Sequence, residues 1–367
     1  MKRTLVALAV AGAFLAPAAA MADGSGIVLT GVIHGDIGFG QEKDNNGTKV
    51  YDRQANIGTF ATRWEIDGTE DLGWAQAIFG LAMDQKFAGP ERGGSGKATN
   101  NNNIGDLNNR NSFLGLTGGF GTIKIGQNEH QYEIQQILQD PDPGAESTHS
   151  TLGLMTSWGI AGRHNFTSRD PQSVWYTSPN FGGVTVDLAY ITPRGGKVGS
   201  INPDGYQLAA QWKSAFGLAL YGAVARYNDE DGATDSKNDA MRVGVGYGTE
   251  LFQVDAFGEQ LKFKTSGLTD KRTNIGVSGA LNFGQHHIRA AFSTAGKLKR
   301  NGSDQADTQA RLFWIGYAYT LSKRTEFQVN YGKLDNKANA QFGAGGGPVL
   351  APGNDADRFG VGIRHTF

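Results

Sequence analysis

Apolar residues alternate with polar or small residues through most of this chain, and this two-residue period is typical of β-strands that have one apolar face. Between positions 241 and 248 every odd residue is apolar and every even residue is Arg or Gly. Residues 184–190 and 274–283 repeat the pattern. The sequence therefore predicts an all-β fold whose sheet separates an apolar environment from a polar one.

The length of the predicted strands distinguishes a soluble sandwich from a membrane barrel. They run for about 10–14 residues, whereas strands of soluble sheets are most often about 5–6 residues long and a tilted strand needs about 9–11 to cross a bilayer. Their polar face carries Arg, Asp, Glu and Gln beside Gly, which suits a water-filled lumen. The sequence predicts a transmembrane antiparallel up-and-down β-barrel of 16 strands, which begin near Ile27, Asn56, Leu72, Arg110, Phe120, Gln172, Phe181, Asp204, Phe216, Ala240, Leu251, Arg272, His286, Thr308, Arg324 and Asp357.

The first 22 residues have the features of a secretory signal peptide. Lys2 and Arg3 precede an apolar run, and Ala20 and Ala22 supply the small side chains of a cleavage site. The apolar run is shorter than the roughly 20 residues of a membrane-spanning helix, which disfavours the alternative of an N-terminal anchor. We therefore expect residues 1–22 to be removed on export and residues 23–367 to form the barrel.

Composition excludes several classes of function. The chain has no Cys, which rules out disulfides and thiolate metal sites. Its 34 basic and 35 acidic residues give a net charge of −1, which argues against a nucleic-acid partner. His286 and His287 are adjacent on a predicted strand and point to opposite faces, so they are poorly placed to share a metal. The sequence shows no acid–base or Ser–His constellation of an enzyme, and we expect neither a cofactor nor a metal.

The connections alternate between tight turns and longer stretches rich in Gly, Asn, Asp and Lys, which we expect to be exterior loops at 39–56, 87–110 and 334–357. One connection, residues 128–168, is different because it is locally acidic and also holds apolar side chains such as Leu154 and Trp158. A fully solvated loop has little reason to carry them. We expect this segment to fold into the barrel and pack against the inner wall; the alternative is an external loop that contacts a neighbouring subunit.

Several short motifs follow one another along the chain. Residues 110–116 read RNSFLGL and lead into GFGTIKIG at 119–126. SVWYTSP occupies 173–179, LSKRT 321–325, and GIRHTF the last six positions. In combination these stretches resemble the general diffusion porins of Gram-negative bacteria. The resemblance implies an outer-membrane homotrimer, embedded in lipid and lipopolysaccharide, whose third loop folds inward and whose terminal Phe367 is read by the outer-membrane assembly machinery.

The strand period and the resemblance together indicate a basic wall at the narrowest part of the channel. Arg63 and Lys124 face the lumen by parity, because their neighbours on the opposite face are apolar. Arg63, Arg110 and Arg169 are similar in position to arginines of the porin family. The predicted basic wall is therefore Arg63, Arg110, Lys124 and Arg169.

An acidic side is predicted on the inward segment. Asp140 and Asp142 resemble the acidic–proline turn of the family's third loop, whereas Glu133 and Glu146 are included on composition alone. Opposite charges across a narrow aqueous gap would align dipolar solutes, while low-dielectric walls focus the field. We expect passive diffusion of small hydrophilic solutes and ions, with a weak cation preference. The alternative functions are a substrate-selective outer-membrane channel for one class of small polar or charged solutes, and an adhesive protein without conductance.

Overall fold

The computed structural model describes residues 25–59, 62–85, 107–129, 132, 154–160, 166, 169–192, 203–229, 235–343 and 350–367. The predicted signal peptide, residues 1–22, lies outside this part of the chain. In the described ranges there is no helix with the length and apolar character needed to cross a membrane.

The secondary structure of the described residues consists almost entirely of strands, nineteen in number. They are β1 (Gly26–Lys43), β2 (Lys49–Thr59), β3 (Arg63–Asp71), β4 (Gln76–Gln85), β5 (Leu107–Gly118), β6 (Gly121–Glu129), β7 (Arg169–Thr177), β8 (Val184–Ile191), β9 (Asp204–Lys213), β10 (Leu218–Asn228), β11 (Lys237–Gly248), β12 (Phe252–Thr265), β13 (Leu268–Phe283), β14 (His286–Ala295), β15 (Lys299–Arg300), β16 (Ser303–Asp304), β17 (Ala310–Ser322), β18 (Thr325–Asn336) and β19 (Asp355–Thr366).

These strands form sixteen wall segments, which is the predicted number. β2 and β3 pair with successive stretches of β1 and count as one segment. β15 and β16, with two residues each, form a small hairpin that pairs with the end of β13. They are not counted as wall segments, because β14 pairs directly with β17. All these pairings are antiparallel, and β1 pairs with β19 to close the cylinder. The predicted antiparallel barrel of 16 segments is confirmed.

The connections distinguish the two ends of the barrel. One end carries the start of β1, the end of β19 and the short turns, such as 119–120 between β5 and β6 and 323–324 between β17 and β18. The other end carries the longer connections, including those between β4 and β5 and between β6 and β7. In outer-membrane barrels the short turns are periplasmic and the long loops extracellular.

One of the predicted long loops is mostly strand. β1 continues to Lys43 and β2 begins at Lys49, so the exterior loop expected at 39–56 is reduced to residues 44–48. The side chain of Asp44 closes this turn by accepting hydrogen bonds from the N–H groups of Asn46 and Thr48, at 2.9 and 2.8 Å. Apolar alternation stops at Phe39, but both neighbours of β1 remain paired up to Lys43. A strand above the membrane is held by its backbone ladder and needs no apolar face, which is why hydropathy did not predict it.

The two faces of the wall have opposite polarity. Large apolar side chains point outward, among them Leu114, Val243 and Ile275, each more than half exposed. The alternate positions face inward and carry polar side chains such as Arg242 and Glu259, which are buried inside the barrel. This arrangement places the apolar face against lipid and the polar face in the lumen.

The pairing of the second wall segment with β1 shifts register twice within β2, opposite Gly40–Lys43, and once more between β2 and β3. Pairing passes from Gly35–Thr59 to Val32–Arg63, so β1 advances three residues while the second segment advances four. One extra residue reverses which face every later side chain takes, as in a β-bulge. Ile57 therefore points outward in β2 at an odd position and Ile66 outward in β3 at an even one, and Arg63 shares the lumen face with the paired Val32.

Candidate functional site in the channel

Three of the predicted basic residues lie on alternate wall segments of one part of the barrel, β3, β5 and β7. Nη1 of Arg110 on β5 donates to Oδ1 of Asp84 on β4 at 2.7 Å, and its Nη2 lies 3.6 Å from Oε1 of Glu129 on β6. Arg169 on β7 donates to the same Glu129 oxygen. In the backbone register, Arg63 on β3 lies directly opposite Asp84 on β4. We call the residues Arg63, Arg110 and Arg169 the arginine cluster.

Each arginine of this cluster has a carboxylate partner on the wall itself. Arg63 is paired with Glu65, Arg110 with Asp84, and Arg169 with Glu129. Sequence reasoning did not select these three acids as site residues. Glu65 could have been found, because it lies two residues from Arg63 and so on the same face. Glu129 could not, because its position between two arginines depends on the register of three strands.

Lys124, the fourth predicted basic residue, has different neighbours. It points into the lumen from β6, and its ammonium lies 4.1 Å from the centroid of the Phe113 ring. The carboxylates of Asp67 on β3 and Asp187 on β8 attract it electrostatically. Lys124 is therefore a cation held over an aromatic ring between two acids.

The predicted acidic side of the constriction lies outside the described residues, since this part of the chain includes none of Glu133, Asp140, Asp142 and Glu146. The described parts of the same segment are Tyr132, residues 154–160 and Phe166. The predicted course of the whole 128–168 segment stays a prediction, but the contacts of these described parts can be given.

Tyr132 and residues 154–158 are attached to the inner face of β11, β12 and β13 through one buried carboxylate, Glu259. Its Oε2 accepts hydrogen bonds from Tyr132 Oη at 2.7 Å and from Arg242 Nη2. Its Oε1 accepts from Thr156 N and Asn274 Nδ2, both at 2.8 Å. Arg242 also donates to the carbonyl of Tyr132 at 3.0 Å. Because the side chains of Arg242 and Glu259 are almost wholly buried, four donors compensate for the loss of water around this carboxylate.

Apolar contacts extend this attachment along the inner wall. The rings of Tyr132, Phe166 and Tyr227 form a chain with centroid separations of 5.6 and 5.8 Å. Trp158 is fully buried and donates from Nε1 to Asn238 Oδ1 at 3.2 Å. Leu154 packs with wall residues of β14, β17 and β18 and with residues of the β18–β19 connection. The inner face from β11 to β18 is therefore lined by packed side chains.

The arginine cluster lies on nearly the opposite side of the barrel. Arg110 is on the fourth wall segment and Glu259 on the eleventh, seven segments apart in a ring of sixteen. A diametrically opposed pair would be eight segments apart. The cluster and the residues attached to Glu259 therefore lie on nearly opposite sides of the inner wall.

Among the residues that the structure describes, no group of three or more His, Asp or Glu side chains is arranged to hold a metal ion. A closed barrel that is apolar outside and lined by polar and charged side chains has the architecture of a transmembrane channel.

Comparison with known proteins gives the family. Residues 5–339 match the model of the Gram-negative porins, and the chain belongs to this family. It is 25% identical to the major outer membrane protein P.IB of Neisseria meningitidis and 27% identical to the outer membrane porin protein 32 of Delftia acidovorans, in each case over the full length of both chains.

Solved structures share the fold. An anion-selective porin from Comamonas acidovorans superposes with a TM-score of 0.74 at 20% identity, covering 94% of this chain and all of the other. OmpT of Vibrio cholerae in its trimer form gives a TM-score of 0.69 at 15% identity, with the same coverage. The protein is thus a porin of the Gram-negative outer membrane, a channel for passive diffusion of small hydrophilic solutes and ions.

Proposed function

We propose that the narrowest part of this porin lies between the arginine cluster and the 128–168 segment, and that it passes solutes by size with a weak preference for cations. The observation that carries the proposal is the position of the arginine cluster nearly opposite the Glu259 attachment. A gap with charge on both sides orders water and dipolar solutes without a specific binding site. The predicted loop acids Glu133, Asp140, Asp142 and Glu146 would supply the other side.

The proposed sign of selectivity follows from the local charge balance. Three wall arginines are matched by three wall carboxylates, Glu65, Asp84 and Glu129. Lys124 lies between two further acids. The described wall is therefore not positive overall at the site, and acids on the 128–168 segment would add negative charge. This proposal differs from the anion selectivity stated for the Comamonas relative.

A reversal-potential measurement in a salt gradient across a planar bilayer tests the sign. We expect a small potential of the sign given by faster cation passage. A clear anion-selective potential would refute the proposed preference but not the pore. Absence of any conductance from correctly folded protein would refute the diffusion function itself.

Substrate selectivity is the second candidate, and the structure favours it less. Tyr132 and Trp158, two aromatic residues of the segment that could contact a solute, are fully buried against the wall. They are therefore occupied in holding the segment. Liposome swelling with sugars and organic acids of graded size separates the candidates: a smooth size cutoff supports general diffusion, and a preference for one chemical class supports selectivity.

We further propose that the mature chain starts after residue 22, works as a homotrimer without catalytic activity, and is surrounded by lipopolysaccharide. The trimeric form of the Vibrio structure supports the oligomeric state. Three equal closure steps in single-channel records would test it.

Phe367 is proposed as the assembly signal. Its backbone N–H and C=O each form a hydrogen bond with the backbone of Gly31 at 3.1 Å, and its side chain is partly exposed on the outer face. Deletion of Phe367 should reduce membrane insertion in cells while leaving refolding in detergent possible.

A further inference from the structure

One buried arginine of the wall, Arg272 on β13, lacks the carboxylate partner that the other buried arginines have. Four arginines are buried in the part of the chain that the structure describes. Three of them donate to a carboxylate of the wall: Arg110 to Asp84, Arg242 to Glu259 and Arg358 to Asp36. Arg272 forms no ion pair among the described residues. It is therefore an exception to the charge pairing of the inner wall.

The guanidinium of Arg272 is held by backbone carbonyls instead. Its Nη1 donates to the carbonyl oxygens of Gly296 at 2.7 Å and of Thr308 at 2.6 Å. Its Nε and Nη2 are buried and have no hydrogen-bond partner among the described residues. A carbonyl accepts a hydrogen bond but carries no net charge, so these contacts leave the positive charge of Arg272 without a matching negative charge.

The acid that acts on Arg272 electrostatically is Asp270, two residues away on the same face of β13. Asp270 is fully buried and already has a partner: Nε and Nη2 of Arg300 donate to its two carboxylate oxygens at 2.9 and 3.0 Å. Arg272, Asp270 and Arg300 together carry one net positive charge. This charge lies at the end of β13 where the long connections are, which is the extracellular end in outer-membrane barrels.

The ring of Phe342 covers the guanidinium of Arg272 on the inside of the barrel. Arg272 points inward from the wall, as do the buried Asp270 and Asn274 on either side of it along the strand. Phe342 belongs to the β18–β19 connection; it is fully buried, and its ring centroid lies 5.0 Å from Cζ of Arg272. The ring attracts the cation but does not neutralise it, and it keeps water from that side of the guanidinium.

A buried charge without an opposite charge costs free energy, and proteins keep such departures at functional sites. Because the surroundings of Arg272 are poor in water, its field is weakly screened and extends into the lumen. We propose that Arg272 is a specificity-determining residue of the channel, whose charge favours anions over cations near the extracellular entrance. Phe342 limits the effect by preventing direct contact between anions and the guanidinium. The inference rests on the diffusion function and adds a second determinant of selectivity, distinct from the arginine cluster.

Arg272→Gln tests the charge, and Lys271→Gln is its matched control. Both substitutions remove one positive charge at the same height of β13, but Lys271 is exposed on the outer face. A unit charge about 10 Å away in water changes the local concentration of a monovalent ion about twofold, in opposite directions for cations and anions. We therefore expect the cation-to-anion permeability ratio at about 0.1 M salt to rise roughly two- to fourfold in Arg272→Gln and to stay unchanged within error in Lys271→Gln. Equal shifts in the two variants, or an unchanged ratio in Arg272→Gln, would overturn the proposal.

Arg272→Lys separates the charge from the hydrogen bonds of the side chain. Lysine keeps the positive charge but cannot reproduce the planar guanidinium. We expect the permeability ratio of this variant to remain close to that of wild type. A ratio equal to that of Arg272→Gln would overturn the proposal, because the effect would then come from the hydrogen bonds of the guanidinium and not from its charge.

Phe342→Ala tests the cover, and Phe342→Leu is the control that keeps a large apolar side chain there. Exposure of the guanidinium to ions should lower the cation-to-anion permeability ratio about twofold or more in Phe342→Ala, and clearly less in Phe342→Leu. The double variant Phe342→Ala/Arg272→Gln has no cation to expose, so its ratio should equal that of Arg272→Gln. A fall in the double variant as large as that in Phe342→Ala would overturn the role of Arg272. The two single Phe342 variants keep the native arginine, so they test the proposal even where Arg272→Gln does not fold.

Reversal potentials and single-channel conductance of the same refolded samples keep this inference distinct from the diffusion function. Heat modifiability on electrophoresis confirms folding of each variant before recording. A conducting wild-type channel whose permeability ratio does not respond to Arg272→Gln would contradict the role of Arg272 alone. A folded wild-type protein that does not conduct would contradict the diffusion function, and with it the inference that depends on it.

Discussion

Arg358 and Asp36 form a two-fold hydrogen-bonded ion pair across the seam where the last strand of the barrel meets the first. Nη1 and Nη2 of Arg358 on β19 donate to Oδ2 and Oδ1 of Asp36 on β1, each at 2.7 Å. Both side chains lie flat on the inner wall over glycines. A Cβ at Gly38 would come within 2.1 Å of Arg358 Nη2, and one at Gly360 within 2.5 Å of Asp36 Oδ2. The small residues of these strands therefore make room for the pair that joins them.

Asp36→Asn tests the contribution of this pair to closure of the barrel. Removal of one charge from a buried pair leaves the other without compensation, and we expect a loss of roughly 3 kcal/mol in the free energy of unfolding. The matched control is Asp239→Asn, which breaks the more exposed pair with Arg226 and should lose less than about 1 kcal/mol. Urea titration of protein refolded in lipid vesicles measures both. Equal shifts in the two variants would show that the seam pair has no special role.

Glu259→Gln tests the attachment of the 128–168 segment. Glutamine keeps the shape but removes the charge that Arg242 faces, so we expect destabilisation of about 3 kcal/mol and increased noise in the open-channel current. Tyr132→Phe removes only one hydrogen bond to the same carboxylate and should lose about 1 kcal/mol. Vesicle unfolding and single-channel recording give the two readouts. A quiet channel of wild-type conductance in Glu259→Gln would show that the attachment does not hold the conducting geometry.

Gly159→Ala tests a contact between that segment and the β18–β19 connection. Gly159 has a φ of 59°, its carbonyl accepts a hydrogen bond from Gln341 N at 3.1 Å, and a Cβ there would lie 2.2 Å from the Phe342 ring. We expect the alanine to displace Phe342 and to increase current noise, because the clash is combined with an unfavourable backbone conformation. The double variant Gly159→Ala/Phe342→Ala removes the clash and should recover part of the quiet current. No difference between single and double variants would place the effect in the backbone alone.

The sequence predicted more of the fold than of the candidate site. Alternation alone predicted sixteen wall segments and the outward face of residues such as Val243, because one face of each strand meets lipid. It did not predict β1 beyond Phe39, where backbone pairing continues without an apolar face. The resemblance to the porin family, with parity in support for Arg63, selected Arg63, Arg110 and Arg169 but not the acids beside them. Which residues meet across strands depends on register, and a one-residue shift such as that between β2 and β3 has no signature in hydropathy.

Glu129→Gln tests whether the wall acids set the selectivity of the channel. Glu129 lies between Arg110 and Arg169, so its neutralisation leaves net positive charge where the wall faces the aqueous path. We expect the reversal potential to move toward anion passage, with the cation-to-anion permeability ratio falling roughly two- to fivefold. Asp239→Asn makes the same charge change on the outer face and should leave the ratio unchanged within error, since the lumen is screened from it. The shift should also shrink as salt rises from 0.1 to 1 M, because the screening length falls from about 10 Å to about 3 Å. An equal effect of both substitutions, or a salt-independent one, would mean that Glu129 acts through the structure of the wall and not through its charge.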